Sequence, residues 1–499
     1  MINKLFTAVL ILGSQLLLPA QDWNIRFSGE HPDGYTHFHD GLVDENGVTF
    51  LVGQEGPDME TATALLLRIE PDGRHSSCQH KTTGYHSKAT CIVETNDHRL
   101  FVAGNMYNDT DDFLLILVFD KDLNLLEERH YEKETNALYF GQCKGICDDQ
   151  GRIIIATYVA HNNEYFGTDY NGVFYAFDTK GDTIRHRYLI EDYPAPIYYL
   201  TNFKVRQIWN RTNNNTLLCL VPGYSGIMSF ISFDSTFNYI EEYPIWRDQI
   251  DKSDHTLFQD CYTDYWFSDD EALFFSSRGD ADHNKLRVSR VNTKGEILDF
   301  IRLNERADTI DDAARPRCMA AANDSTFYFS FHSHQLSYYP GIAGVYMLNA
   351  QLEIVGSYVD EGNYRTNLIL PTHDGGCITV NDSCANAPYM STALPFIKKL
   401  SPDDFNHVPW QLSQSNQMTP DLNAYPNPCS ERLNIPIAKN AGKLRCRVED
   451  LQGRIILDCI VQADGDLLTL DVSKIKNGIY HYRIYSDRKT LFQGQFVKK

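Results

Sequence analysis

The chain has 499 residues, 42% of them apolar, with 29 Tyr and 27 Phe, and its 45 Lys+Arg face 66 Asp+Glu for a formal charge of −21. That length calls for two or more folded units, and the aromatic content favours strands over helices. A charge of this sign is repelled by phosphate backbones and anionic membrane surfaces, which excludes nucleic acid as an expected partner.

The amino terminus has three parts. Lys4 supplies one positive charge, Leu5 to Leu18 is an apolar run interrupted by Thr7, Gly13, Ser14 and Gln15, and Leu18-Pro19-Ala20 puts a small residue before Gln21. This is the layout of a secretory signal peptide over residues 1–20. The run is shorter than the roughly 20 residues that span a bilayer, and no other stretch of spanning length follows, so no transmembrane segment is expected.

From residue 22 to 405 one motif recurs: an apolar run, an acidic or Asn-rich turn, and a second apolar run. It occupies 41–53, 91–104, 145–158, 205–221, 261–276, 318–331 and 368–380, and each copy is followed by a second hairpin, as in Leu67-Arg-Ile-Glu-Pro-Asp-Gly73. Asp-Gly, Asn-Gly and Lys-Gly turns between apolar strands mark hairpins. Seven pairs of hairpins predict an all-β fold, a seven-bladed β-propeller. The seventh copy supplies only three strands, so the stretch 22–29, with Trp23-Asn-Ile-Arg-Phe27, is expected to complete the last blade and remove an open edge. With strands labelled a to d outward from the axis, the a–b and c–d turns are tight. The b–c and d–a links, among them 54–64, 158–172, 191–202, 243–259, 304–317 and 331–344, read as long loops on the opposite face. Binding residues concentrate on such loops.

Several side chains near that face are candidates. His37 and His39 enter the first inner strand, and His332 and His334 leave a second strand; alternation places each pair on one side of its strand. Four imidazoles offer a divalent metal site if the rings converge, and polar channel lining if they do not. No cofactor is otherwise predicted. Arg315 and Arg317 approach the sixth inner strand and suit a carboxylate or sulfate, or else pair with Asp311 and Asp312. Tyr338, in Tyr338-Tyr339-Pro340, and Tyr198-Tyr199 suit stacking on a sugar ring or a peptide, or rim packing. Asp280 to Asn284 begins like a calcium loop, but Lys285 stands where such a loop needs Gly; it and the similar acidic loop at Asp109, Asp111 and Asp112 read as solvated loops. Of the 12 cysteines, Cys91, Cys143 and Cys318 fall at equivalent places near the inner strands, which points to packing. Cys143 and Cys147 are about 13 Å apart along a strand and beyond disulfide reach. Cys446 and Cys459 flank a turn almost symmetrically and are candidates for a bridge.

Residues 406–421 are polar and without repeat, a linker. Beyond them, apolar segments between Gly, Asn and Asp turns predict six or seven short strands and a small Ig-like β-sandwich over 422–499. Tyr425-Pro426-Asn427-Pro428 opens this module, Leu451-Gln452-Gly453-Arg454 forms its central turn, and Asn477-Gly478-Ile479-Tyr480 precedes the terminal Phe496-Val497-Lys498-Lys499. In this order the motifs resemble the type A C-terminal sorting domain of type IX secretion substrates in Bacteroidetes. The resemblance implies passage through the periplasm, handling by the type IX machinery, and delivery to the outer cell surface or the medium.

No Ser-x-Asp-x-Gly box with a following Trp, Gly-x-Ser-x-Gly elbow or His-Glu-x-x-His pair occurs in the repeats. Two classes of function stay open: a propeller that binds an extracellular glycan or protein through its long-looped face, and a propeller hydrolase or lyase acting on a glycan or peptide. The absence of a catalytic signature favours binding.

Overall fold

The computed structural model describes residues 22–31, 34–134, 136–163, 167–189, 204–211, 216–222, 228–245, 257–268, 271–279, 284–303, 309–313, 317–335, 338–361, 364–383, 394–405, 428–436, 443–450, 455–462, 467–486 and 489–499. The signal-peptide stretch, the polar segment 406–421, Arg315, Tyr198, Tyr199, Tyr425, Pro426, Asn427 and Gly453 lie outside them. The chain divides into two compact units, 1–409 and 410–499.

The first unit is all β. A short strand, β1 (Asn24–Arg26), precedes a first sheet of β2 to β5 (Tyr35–Val43, Thr49–Gly56, Thr63–Ile69 and His75–His80). The second holds β6 to β9 (His86–Glu94, Leu100–Tyr107, Asp112–Phe119 and Leu125–Glu132), and the third β10 to β13 (Lys144–Cys147, Ile153–Asn163, Gly167–Phe177 and Thr183–Tyr188). Next come β14 to β17 (Gln207–Arg211, Thr216–Pro222, Met228–Asp234 and Tyr239–Ile245) and β18 to β21 (Leu257–Ser268, Glu271–Gly279, Asn284–Asn292 and Ile297–Arg302). In the sixth sheet β22 (Thr309–Ala313) and β23 (Met319–Asn323) share the inner place beside β24 (Thr326–Gln335), followed by β25 (Tyr338–Asn349) and β26 (Ile354–Glu361). The seventh runs β27, β28, β29 (Tyr364–Pro371, Cys377–Ser383 and Pro395–Leu400) and ends on β1, whose Ile25 lies opposite Ile397.

Middle strands are apolar without alternation because both of their faces are covered. Every residue of β3 is buried, whereas the outer strands β5 and β9 are largely exposed or half-buried. Alternate side chains of one strand serve different junctions: Leu51 packs with Ile25, Leu370 and Ile397 toward the seventh blade, while Phe50 and Val52 pack with Val102 and Leu117 toward the second. Apolar clusters of this kind fill each junction from first–second to sixth–seventh, and the seventh–first cluster closes the ring. Such closure leaves only short sheet edges, as in a β-propeller.

The tight turns repeat one hydrogen-bond pattern. Asp44, Asp120, Asp148, Asp178, Asp234, Asn292 and Asn349 each accept, through Oδ1, the backbone N–H groups two and four residues ahead. The fourth turn residue takes a left-handed φ, for example Gly47 at 78° and Gly181 at 84°. This is why Asp and Asn followed by Gly punctuate the repeats.

On the opposite side the structure corrects part of the loop reading. The segments 158–172 and 331–344 are largely strand, being the extended ends of β11 and β12 and of β24 and β25, and β22 occupies part of 304–317. Continued cross-strand hydrogen bonding satisfies the backbone there in a way that an open loop does not.

The second unit has a two-stranded sheet, β30 (Arg432–Pro436) with β33 (Leu467–Asp471), and a four-stranded sheet in the order β32 (Ile455–Gln462), β31 (Lys443–Asp450), β34 (Gly478–Ser486) and β35 (Lys489–Lys498). Leu433, Leu470, Val448, Ile484 and Phe496 from both sheets share one core. These strands pack as two sheets; an Ig-like strand order is not established by them. Tyr480 is buried against Phe496 and donates from its hydroxyl to Lys476 O at 2.8 Å, Gly478 begins β34, and Pro428 is exposed. Cys446 and Cys459 stand directly opposite in register as free thiols.

Candidate functional site

The inner strands of the first, second and seventh blades carry a recurring irregularity midway along their length. Pairing of β2 with β3 slips between Phe38 and Asp40, that of β6 with β7 between Ala89 and Cys91, and that of β27 with β28 between Thr366 and Leu368. The extra residues are His39, Thr90 and Asn367. A β-bulge of this kind re-aims a side chain without interrupting the sheet. It also crowds the backbone: a Cβ on Gly53 would lie 2.0 Å from His37 O, and one on Gly104 1.9 Å from Lys88 O. Glycine is the residue that fits both places.

These bulges draw polar groups of the seventh, first and second blades together. His37 Nδ1 lies 2.8 Å from Asp382 Oδ2 and 3.3 Å from Asn367 Nδ2. An ionised Asp382 requires the proton on Nδ1, which leaves the Nε2 lone pair of His37 directed away from the carboxylate. The His37 side chain is 16% exposed and the Asp382 side chain 3%. Tyr35 stacks beside His37 at 6.2 Å, and His39 meets it edge to face at 4.6 Å. Burial above all, then charge on His37 when it is protonated and the charges of Lys88 and Lys144, holds the His39 imidazole well below its usual pKa, against a hydrogen bond that the ring donates to Gln54. Its Nε2 is shielded from solvent and has no hydrogen-bond partner among the described residues.

Deeper along the axis, Asp40 accepts Ile92 N at 3.2 Å and Gly41 N at 2.9 Å. Arg317 Nη1 crosses from the sixth blade to the first, donating to Gly41 O at 2.9 Å and standing 3.8 Å from Asp40 Oδ1. Its backbone joins the seventh blade through Asn367 O and Ile369 N. Arg317 therefore ties three blades at the axis. On the second blade, burial pushes the Asp112 carboxyl up to about 6, against a hydrogen bond from Phe140 N at 3.0 Å and the charges of Lys133 and Lys88. Asn105, which faces Lys88 across the strands, donates to Phe140 O at 2.7 Å.

The sequence candidates fare unequally. His37 and His39 stand at the axial mouth, and Arg317 lies deeper, against Gly41 and Asp40. His332 is opposite Asp312 and Ala343 within β24, and His334 and Tyr338 belong to β24 and β25, their side chains outside the described residues. Among the described residues no group of three or more His, Cys, Asp and Glu is arranged to hold a metal ion. Sequence reasoning missed Gln54, Lys88, Asn105, Lys144, Asn367 and Asp382. The available signal was register: Gln54, Asn105 and Asp382 each face the residue just before a bulge pairing on the neighbouring inner strand.

Residues 423–499 match the family described as the secretion system C-terminal sorting domain. No curated protein sequence matches the chain. Among solved structures the chain is similar to a fungal alcohol oxidase of the AA5 family in complex with copper, at 12% identity over 96% of this chain and 99% of that one, with a TM-score of 0.45. It is similar to the Dos1 propeller at 10% identity over 76% and 95%, TM-score 0.41, and to the polysaccharide lyase Uly1 at 10% identity over 52% and 58%, TM-score 0.34. Identities this low carry nothing about ligand or activity. The sorting domain makes the protein a type IX secretion substrate, exported to the cell surface or released, and no helix among the described residues is long and apolar enough to cross a membrane.

Proposed function

We propose that this type IX secretion substrate is an extracellular binding protein whose propeller takes up a glycan at the axial mouth opposite its tight turns. The observation that carries this reading is the convergence of His37, His39, Gln54, Asn367 and Asp382, from two neighbouring blades, on a scaffold that is otherwise apolar at every blade junction. Donors and acceptors held on strands, with Tyr35 beside them, suit the alternating hydroxyls and apolar ring faces of a sugar. A protein ligand calls instead for a broad apolar centre. Screening the full chain on a glycan array, followed by calorimetry, tests the reading. Binding is expected for the wild type, with at least a tenfold loss for His37→Ala and for Asp382→Asn; an array without hits, or hits untouched by both changes, overturns it.

One contact favours a second reading. The carboxylate-oriented imidazole of His37 is the arrangement a general base needs, which keeps a hydrolase or lyase acting on the bound polymer in play. Turnover of an array hit, abolished by Asp382→Asn with binding retained, would identify chemistry in place of simple capture.

A further inference from the structure

We propose that Cys446 and Cys459 form an oxidation site of the sorting domain, closed to a cross-strand disulfide once the chain reaches the periplasm, and that the bridge fixes edge strand β32 to its sheet. This rests on export, which the sorting domain carries, and not on the glycan reading above.

Position singles this pair out. Cys446 of β31 and Cys459 of β32 face each other directly in the antiparallel ladder. Residues so opposed have Cα atoms about 4.5 or 5.5 Å apart, and a disulfide spans about 4.4–6.8 Å. The two side chains also point the same way. Leu444, Cys446 and Val448 are buried while Arg445 between them is exposed, and Leu457 and Cys459 pack on that same core while Ile456 and Ile460 are exposed. By contrast, Cys78, Cys91, Cys147, Cys219 and Cys377 all face other residue types across their ladders.

The step is a thiol–disulfide exchange with the disulfide of a periplasmic dithiol oxidase. Cys459 is half-buried, so its thiolate is the one that attacks, forming a mixed disulfide and expelling one sulfur of the oxidant. Cys446 then gives up its proton and attacks Cys459 Sγ, which expels the second sulfur. Both cysteine protons and two electrons end on the oxidant, which leaves as a dithiol. Burial above all, then the neighbouring Cys459, pushes the Cys446 thiol up to about 12. Such a thiol is a poor nucleophile toward a free oxidant, but here its target lies directly opposite on the next strand, so the second step is intramolecular.

The bridge has work to do at this place. Among the described strands β32 pairs with β31 alone, and it exposes Ile456 and Ile460, the latter at 75%. An apolar edge strand invites pairing with another chain. Because β31 is hydrogen-bonded on its other side to β34, a covalent link from Cys446 to Cys459 keeps the edge from peeling away.

The test compares the full chain, exported on its own signal sequence and trapped with iodoacetamide in the periplasm, with the same chain made in a reducing cytoplasm. Non-reduced peptide mapping is expected to yield peptides linked through Cys446 and Cys459 from the exported protein, and both cysteines alkylated from the cytoplasmic one. Limited proteolysis within 455–462 should be about tenfold slower in the oxidised chain than in the same chain after dithiothreitol. In the double variant Cys446→Ala, Cys459→Ala, dithiothreitol should make no difference. Both cysteines alkylated in folded exported protein overturns the proposal, and so does a bridge from either of them to a different cysteine. A mapped bridge between the two with equal cleavage before and after reduction overturns the clamping of β32. The comparison of oxidised with reduced wild type needs no substitution, so it decides the matter even where the double variant fails to fold.

Discussion

The two faces of the propeller are built from the same strands and obey different rules. At the tight turns nearly every polar group is answered: an Asp or Asn opens the turn, accepts two backbone N–H groups and recurs from blade to blade. At the mouth, bulges displace the pairing, and an imidazole nitrogen of His39 lies buried without a partner among the described residues. Repetition on one side supplies stability, and departure from repetition on the other supplies a place for a ligand. Strained or incompletely paired groups collect at functional sites because the rest of the fold over-determines them.

Substitutions sharpen this contrast. The largest effect is expected at Asp44, whose side chain is 2% exposed and holds Asn46 N, Val48 N and, at 2.8 Å, Lys121 Nζ. Asp44→Ala should lose about 2 kcal/mol in urea unfolding, because it leaves two turn amides uncapped and Lys121 with Glu94 as its remaining carboxylate. Burial raises the Asp44 pKa, but the Lys121 hydrogen bond and the Val48 amide outweigh it and the net shift is downward. The stability that Asp44 contributes is thus present above its unfolded pKa and is lost as pH falls through the lower folded value.

Asp112 should behave in the opposite sense. Its folded pKa of about 6 lies above its ordinary value, so the folded state holds the proton more tightly and stability declines as pH rises through that window. Asp112→Asn is expected to add about 2 kcal/mol at pH 7.5 and nothing at pH 4, which unfolding curves at the two pH values would read. A smaller gain, about 1 kcal/mol, is expected for Lys144→Met in urea unfolding, because Lys144 is 9% exposed and its charge is removed from a buried place; a loss of stability would mean that the lysine serves the fold.

The smallest effect tests the turns. His98 occupies a left-handed position, φ 61°, where equivalent turns place glycine, and its side chain is 63% exposed. His98→Gly should raise stability by roughly 0.5–1 kcal/mol in thermal melts. Phe237 and Leu352 share that backbone but are buried, so glycine there should destabilise through lost packing.

How much was readable follows the same division. Hairpins were legible because turn chemistry is local: Asp148-Asp149-Gln150-Gly151 specifies its own hydrogen bonds, and the apolar runs on each side report strands covered on both faces. The sorting module was legible from motifs in order. His37 and His39 were found as a pair because two residues of one strand are neighbours in sequence. Asp382 was not, although it touches His37, since 345 positions and ring closure separate them. The long links were misread where β11, β12, β24 and β25 extend, because polar residues at strand ends look like loop in sequence.

By itself the amino-acid order determined an all-β chain of repeated hairpins with an export tail, since turn residues and strand burial act over a few positions. Only the tertiary structure decided what meets at the axis. Bulges at His39, Thr90 and Asn367 and the approach of distant blades place Asp382 and Arg317 there, and that convergence depends on closure of the ring rather than on any local preference.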